Sequence, residues 1–119
     1  RRSEYPKFQI SGEKLVRIGW SKKEKAPYEH RTPRAIFDSV VKALAEVTAA
    51  ARGPHASDSI IECANKGATE PIPDYQVYSV IGFLKESGAI AKKGRSGYEV
   101  PKGISTRASQ AWDEAADDK

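Results

Sequence analysis

Residues 74–100 constrain the fold of this chain more than any other stretch. Val77, Val80, Ile81 and Leu84 recur at i, i+3, i+4 and i+7, the spacing of one buried helix face. Asp74 stands where an N-cap belongs, and Gly88 ends the pattern. Ala89-Ile90 leads into a strand, and Tyr98 and Val100 alternate on a return strand. Between them, Lys92-Lys93-Gly94-Arg95-Ser96-Gly97 forms a basic, glycine-rich hairpin tip. An amphipathic helix, a glycine stop and a charged hairpin therefore follow one another directly.

The upstream sequence supplies what that helix must pack against. Phe8 and Ile10 alternate, as do Val16, Ile18 and Trp20, with Ser11-Gly12 between the two runs. This pattern predicts an N-terminal β-hairpin with these residues on one apolar face. Residues 21–31 are polar and mostly basic, and read as a connector. Thr32 as N-cap and Pro33 as first helical residue open a helix. Its buried stripe is Ile36, Val40, Val41, Leu44 and Val47, and Gly53-Pro54 ends it. A shorter helix begins at Ser57 or Asp58, carries Ile60, Ile61 and Ala64, and stops at Lys66-Gly67. Ala68 to Pro73 is a loop with two prolines. A weak last helix runs from Ser105 to about Ala116, with Ala108, Trp112 and Ala115 on one side.

Three helices followed by a two-stranded hairpin resemble the winged helix-turn-helix superfamily, over residues 32–100. The pieces that carry the resemblance are the Asp74–Ser87 helix, the Gly88-Ala89-Ile90 exit and the Gly94-Arg95-Ser96-Gly97-Tyr98 wing. The superfamily usually has a short strand between its first two helices, and Gly53-Pro54-His55-Ala56 leaves space for only a stub. The loop from Lys66 to Pro73 is longer than the tight turn of the simplest helix-turn-helix motifs. The expected fold is α+β: a three-helix winged helix-turn-helix core with a C-terminal β-hairpin wing, preceded by an N-terminal β-hairpin. The expected organisation is 1–31 as hairpin and basic connector, 32–103 as winged-helix domain, and 104–119 as weak helix and acidic tail.

Charge distribution bears on partners. The chain has 119 residues and a net charge of +4. Asp113, Glu114, Asp117 and Asp118 face Lys119 alone in the last twelve positions. Without that stretch, 19 basic residues face 12 acidic ones, or +7. A part that basic favours polyanion partners. A helix followed by a basic hairpin suits duplex DNA, with the helix in the major groove and the hairpin on flanking phosphates. At about 100° per residue, the stripe opposite the apolar one is Tyr75, Ser79, Gly82 and Glu86, flanked by Gln76 and Phe83. Gln76 is then the best base reader, since its amide pairs bidentately with adenine. Ser79 and Tyr75 stand nearest bases or phosphates, and Lys92, Lys93 and Arg95 nearest phosphates. The stripe holds no Arg or Lys, which favours electrostatic over sequence-specific binding. Lys22, Lys23, Lys25, Arg31 and Arg34 form a second basic cluster, interleaved with Trp20, Tyr28 and His30. It reads as an arm along the backbone or a stacking platform for single strands. Trp20, ending an alternating strand, reads instead as core or hairpin packing.

Other functions find less support. His30, His55 and Cys63 have no zinc-site spacing, and no phosphate-loop or nucleophile motif occurs. The chain reads as a non-enzyme without cofactors. The lone Cys63 reads as a buried, inert helix thiol in a reducing compartment. No apolar run is long enough for a transmembrane helix and no signal-peptide pattern appears, which suggests a cytoplasmic, nucleoid-associated protein. The alanine-rich composition hints at a bacterial source. Methionine is absent and the chain starts Arg1-Arg2, which reads as a fragment or a processed form. The sequence therefore predicts a DNA-binding module of a regulator or larger DNA-associated protein. The alternative is a winged-helix protein-interaction or assembly module, docking through Gly82, Phe83 and Glu86. A partner or homodimer contact would then use Ala108, Trp112 and Ala115, and the acidic tail would cover the basic face or remain solvated.

Overall fold

The computed structural model describes residues 4–117. Three strands come first: β1 (Lys7–Ser11), β2 (Lys14–Ser21) and β3 (Ala26–Pro33). Helices α1 (Arg34–Ala50), α2 (Ser57–Lys66) and α3 (Asp74–Glu86) follow. A hairpin of β4 (Ala91–Lys92) and β5 (Tyr98–Glu99) with a 3-10 turn at Gly94–Ser96 precedes α4 (Ile104–Asp117). The molecule is α+β, with four helices, an antiparallel β1-β2-β3 sheet and a separate two-stranded hairpin.

This differs from the expectation in three ways. The hairpin is not C-terminal, because α4 follows it and belongs to the core. Ala108, Ala111 and Trp112 are buried, and Trp112 meets Phe37 edge-on at 4.7 Å. The connector at 26–31 is a third strand. Its alternation is Tyr28, His30, Thr32, so it lacks the apolar signature of a strand, and its two prolines suit only an edge. Thr32 consequently lies in β3 and does not cap α1. Pro33 occupies the cap position, and the Arg34 N–H donates to the Glu13 carbonyl at 2.8 Å. Ser57, Asp58 and Asp74 likewise sit within first turns, not as side-chain caps. The two aspartates there complement the helix dipole instead.

Sheet register corrects the expected apolar face. Ile10 pairs with Leu15 and Phe8 with Arg17 across β1 and β2. Leu15 pairs with Thr32, Arg17 with His30 and Gly19 with Tyr28 across β2 and β3. Directly paired residues share a face. Phe8, Ile10 and Leu15 therefore turn toward the helices, while Val16, Ile18 and Trp20 lie on the other face with Lys7 and Gln9. A one-residue difference in register exchanges every side chain between faces.

The core runs through the whole chain, from Ile10 and Leu15 of the sheet to Ile104 and Trp112 at the end. Asn65 organises the α2–α3 connection. Its side chain accepts from the Ile72 N–H at 2.7 Å and donates to the Ile61 carbonyl at 2.9 Å. Ile72 is thereby held in the core, so a loop with two prolines still keeps a fixed shape. His55 and Tyr98 exchange both backbone hydrogen bonds, each 2.8 Å, in an isolated antiparallel bridge. This bridge ties the second hairpin to the segment between α1 and α2.

Gly97 makes the tie possible. Its φ is +122°, and a Cβ there would collide with the His55 carbonyl oxygen and lie 2.8 Å from the Ala56 nitrogen. Replacing Gly97 with Ala is expected to break the bridge and lower unfolding free energy by about 2 kcal/mol or more, checked by urea denaturation. The Thr32 hydroxyl is buried with no hydrogen-bond partner among the described residues. An unsatisfied buried hydroxyl costs about 1–3 kcal/mol. Thr32→Val is thus expected to leave stability unchanged or raise it by about 1 kcal/mol in the same assay.

Candidate nucleic-acid interface

Helix α3 lies between the helical core and the sheet. Val77, Val80, Ile81 and Leu84 face the core, as the periodicity predicts. The middle of the opposite stripe, Ser79 and Gly82, is covered instead of free. Phe83 is buried and meets Phe8 of β1 edge-on at 6.0 Å. A Cβ on Gly82 would stand 3.0 Å from the Phe8 ring. His30 of β3 packs on Tyr75 with ring centroids 4.6 Å apart.

Two of the three expected readers on this helix are therefore engaged elsewhere. Ser79 is buried, and its hydroxyl donates to the Tyr75 carbonyl at 2.8 Å. The Gln76 amide donates to the Arg31 carbonyl at 3.2 Å, holding α3 against the β3 backbone. Gly82 and Phe83 are equally unavailable as a docking surface. Tyr75 remains 43% exposed and Tyr78 47% exposed. Glu86 is exposed near the sheet's outer margin, lining a groove with Lys7 and Ser87. The expected partner face of α4 is also occupied, since Ala108 and Trp112 are core residues and Ala115 packs against them.

The second hairpin keeps its cations in solvent. Lys92, Lys93 and Arg95 are all exposed. Lys92 lies over the Tyr98 ring with its ammonium 5.0 Å from the centroid, and Lys93 is 3.6 Å from Glu99. Arg95 has no ion-pair partner among the described residues. The tip is shaped by the Lys93 N–H donating to Gly97 O at 2.7 Å. Exposed pairs such as Lys93–Glu99 contribute only about 0–1 kcal/mol, so they yield readily to a phosphate.

The expected second cluster divides into three. Lys22, Lys23 and Lys25 are exposed on the β2–β3 turn. Arg31 pairs with Glu29 at 2.8 Å on the outer face of the sheet. Arg34 is a core-facing residue: it bonds Asp38 at 2.9 Å and lies over Trp112 at 4.7 Å and Phe37 at 5.5 Å. The structure also assembles aromatic residues that sequence reading leaves scattered. Tyr28, His30 and Tyr75 form a chain of ring contacts, at 4.9 Å and 4.6 Å. Arg17 donates to the Tyr28 hydroxyl at 3.1 Å. The β2–β3 pairing brings Arg17 to Tyr28 and the packing of α3 on β3 brings Tyr75 to His30, and the polar composition of β3 hides both.

Other chemistry is sparse. No group of three or more potential metal ligands occurs among the described residues. Cys63 is half-buried and donates to Glu46 at 3.4 Å. Burial first, then this hydrogen bond and the Glu46 charge, push its thiol pKa up, which keeps it protonated and inert. No helix is long and apolar enough to cross a membrane among the described residues. Comparison with protein-family models, curated proteins and solved structures finds no match.

The Arg34 geometry predicts a stability role. Arg34→Ala is expected to lower the melting temperature, with a loss of about 1 kcal/mol from the cation–π contacts. Its effect on affinity for a polyanion should not exceed that of Lys23→Ala, measured by fluorescence anisotropy on random duplex DNA.

Proposed function

We propose that this chain is a nucleic-acid-binding module that grips phosphate backbone through the β4–β5 hairpin. The carrying observation is three exposed cations within four residues, Lys92, Lys93 and Arg95, on a hairpin pinned by the His55–Tyr98 bridge. A pinned hairpin presents its charges with little conformational entropy left to lose on binding. We further propose a winged-helix arrangement for residues 32–100. The His55 stub supports it, since it supplies the short strand between the first two helices that this arrangement uses.

The mode of binding follows from what α3 can offer. Ser79 and Gly82 of its outer stripe lie under the sheet and Tyr75 packs on His30, so the helix does not enter a major groove by that face. Uncovering it would expose Ile10, Leu15 and Phe83. At about 1.5–3 kcal/mol per large apolar side chain, that costs about 5–9 kcal/mol. Non-specific DNA affinity of about 10⁻⁴–10⁻⁶ M is worth about 5–8 kcal/mol. Binding energy of that size would be consumed entirely. The module therefore holds duplex DNA by charge, as part of a regulator or a larger DNA-associated protein, and reads little sequence. The docking alternative loses its expected surfaces, because Gly82, Phe83, Ala108 and Trp112 pack inside this chain.

The test is anisotropy on a labelled random duplex at about 50 and about 200 mM salt, with and without Lys92, Lys93 and Arg95 replaced by Ala. Each phosphate contact contributes a slope of about −0.9 in log K against log salt. The triple variant is expected to weaken binding and make the slope shallower by about 2–3. Absence of binding by the native chain at low salt would sink the proposal.

A further inference from the structure

The end of β2 carries a second feature that the hairpin does not explain. β1 begins at Lys7, opposite Ile18, so among the described residues β2 has no strand partner on that side from Gly19 to Ser21. Tyr5 and Pro6 stand beside this edge and help to line a cleft of about 240 Å³. Its walls are aromatic: Tyr5, Trp20 and Tyr28. Tyr5 and Trp20 pack together with centroids 5.7 Å apart. Its charges are Arg17 and Lys22, and no carboxylate lines it among the described residues.

The cleft is built and held. The Tyr28 ring lies across Gly19, where even a single Cβ would come within 2.5 Å of it. Arg17 fixes the Tyr28 hydroxyl from the neighbouring strand. The ring is therefore positioned from below by a missing side chain and at its tip by a guanidinium. Tyr28 nonetheless stays 36% exposed, more than most large apolar residues here.

Three properties define the ligand. Aromatic walls select a flat ring, for which stacking is worth about 1–3 kcal/mol per nucleobase. Two cations without a carboxylate reject a cationic ligand and select an anion. The volume admits one ring system and not a base pair, so the ring must be unpaired. We infer that this cleft, which wraps the edge of β2, binds an unpaired nucleotide, its base held between the Tyr5–Trp20 pair on one side and the Tyr28 ring on the other, with its phosphate on Arg17 and Lys22. The exposed Lys23 and Lys25 of the adjoining turn continue the same positive track. This inference deepens the proposed nucleic-acid binding and rests on it. It adds single-strand recognition at a site separate in sequence from the β4–β5 hairpin.

Trp20 supplies its own readout. The chain has two tryptophans, and Trp112 is buried, so ligand-dependent quenching reports on the cleft. The native chain is titrated with a ten-nucleotide oligo-dT, with thymidine monophosphate and with a blunt duplex. Tryptophan emission should fall with the oligonucleotide and not with the duplex. Tyr28→Ala and, separately, the exposed-turn change Lys22→Glu should each weaken oligonucleotide binding about fivefold or more. Tyr28→Ala should leave duplex affinity within about twofold. If the mononucleotide quenches as tightly as the strand, the source is a free nucleotide, and the same cleft chemistry stands. If the strand binds more tightly, the source is single-stranded nucleic acid. An unquenched Trp20 together with an unchanged oligonucleotide affinity in both variants overturns the inference. The Lys92/Lys93/Arg95 triple Ala variant separates the two claims. Loss of duplex binding with Trp20 quenching retained leaves both standing. Loss of duplex binding in a chain whose Trp20 never responds leaves only the hairpin reading.

Discussion

The packing of the N-terminal sheet across α3 is the interaction on which the rest of this structure depends. Phe8 reaches over Gly82 to Phe83, His30 stacks on Tyr75, and Gln76 reaches back to the β3 carbonyl at Arg31. Hydrophobic contacts hold one end of the helix and a polar contact holds the other. Glycine at 82 sets the closeness of approach, since the Phe8 ring already stands at the limit a Cβ would allow. An edge-to-face pair such as Phe8–Phe83 adds about 0.5–1.5 kcal/mol beyond its burial. The helix is fixed in angle and depth by its second layer of packing as well as by its first.

This arrangement redistributes function across the molecule. A helix clamped on two sides becomes a structural beam, so in the proposed function contact with a polyanion falls to elements at its margins. The β4–β5 hairpin leaves α3 within a few residues of its end and is pinned by the His55–Tyr98 bridge. The β2–β3 turn belongs to the sheet that covers α3. Both basic regions are thus attached to the same rigid body. Arg34, which has the right charge for a contact residue, is drawn inward over Trp112 and Phe37 and helps to fasten α1 to α4.

Much of the helical framework was legible in the sequence, because apolar periodicity carries that signal directly. The stripes Val77–Leu84 and Val40–Leu44 reach the core as spaced, and Gly88 and Gly53 stand just beyond helix ends. Strand faces were less legible. The apolar runs around Ser11-Gly12 announce a hairpin, but the turn alone decides register, and here it places Leu15 inward and Trp20 outward. β3 was illegible for a different reason. A strand whose inward residues are Tyr28, His30 and Thr32 earns its place from pairing with β2 and from α3, and neither appears in local composition. Because local composition hides β3, it also hides the cover over α3 and leaves Ser79 and Gln76 with no sign of their partners. The exposed cations of the hairpin tip needed no tertiary information, since charge beside glycine at a turn stays in solvent.

The central claim is that nucleic acid meets the margins of the molecule while the sheet stays closed on α3. Amide chemical-shift mapping of the ¹⁵N-labelled chain, titrated with a random duplex at low salt, tests this most directly. Shifts concentrated at residues 92–97 and 22–25, with Ser79, Gly82 and Phe83 unmoved, are the predicted result. Large shifts or line broadening at Ser79, Gly82 and Phe83, with the β1 amides following, would mean that the sheet opens and α3 itself enters the groove.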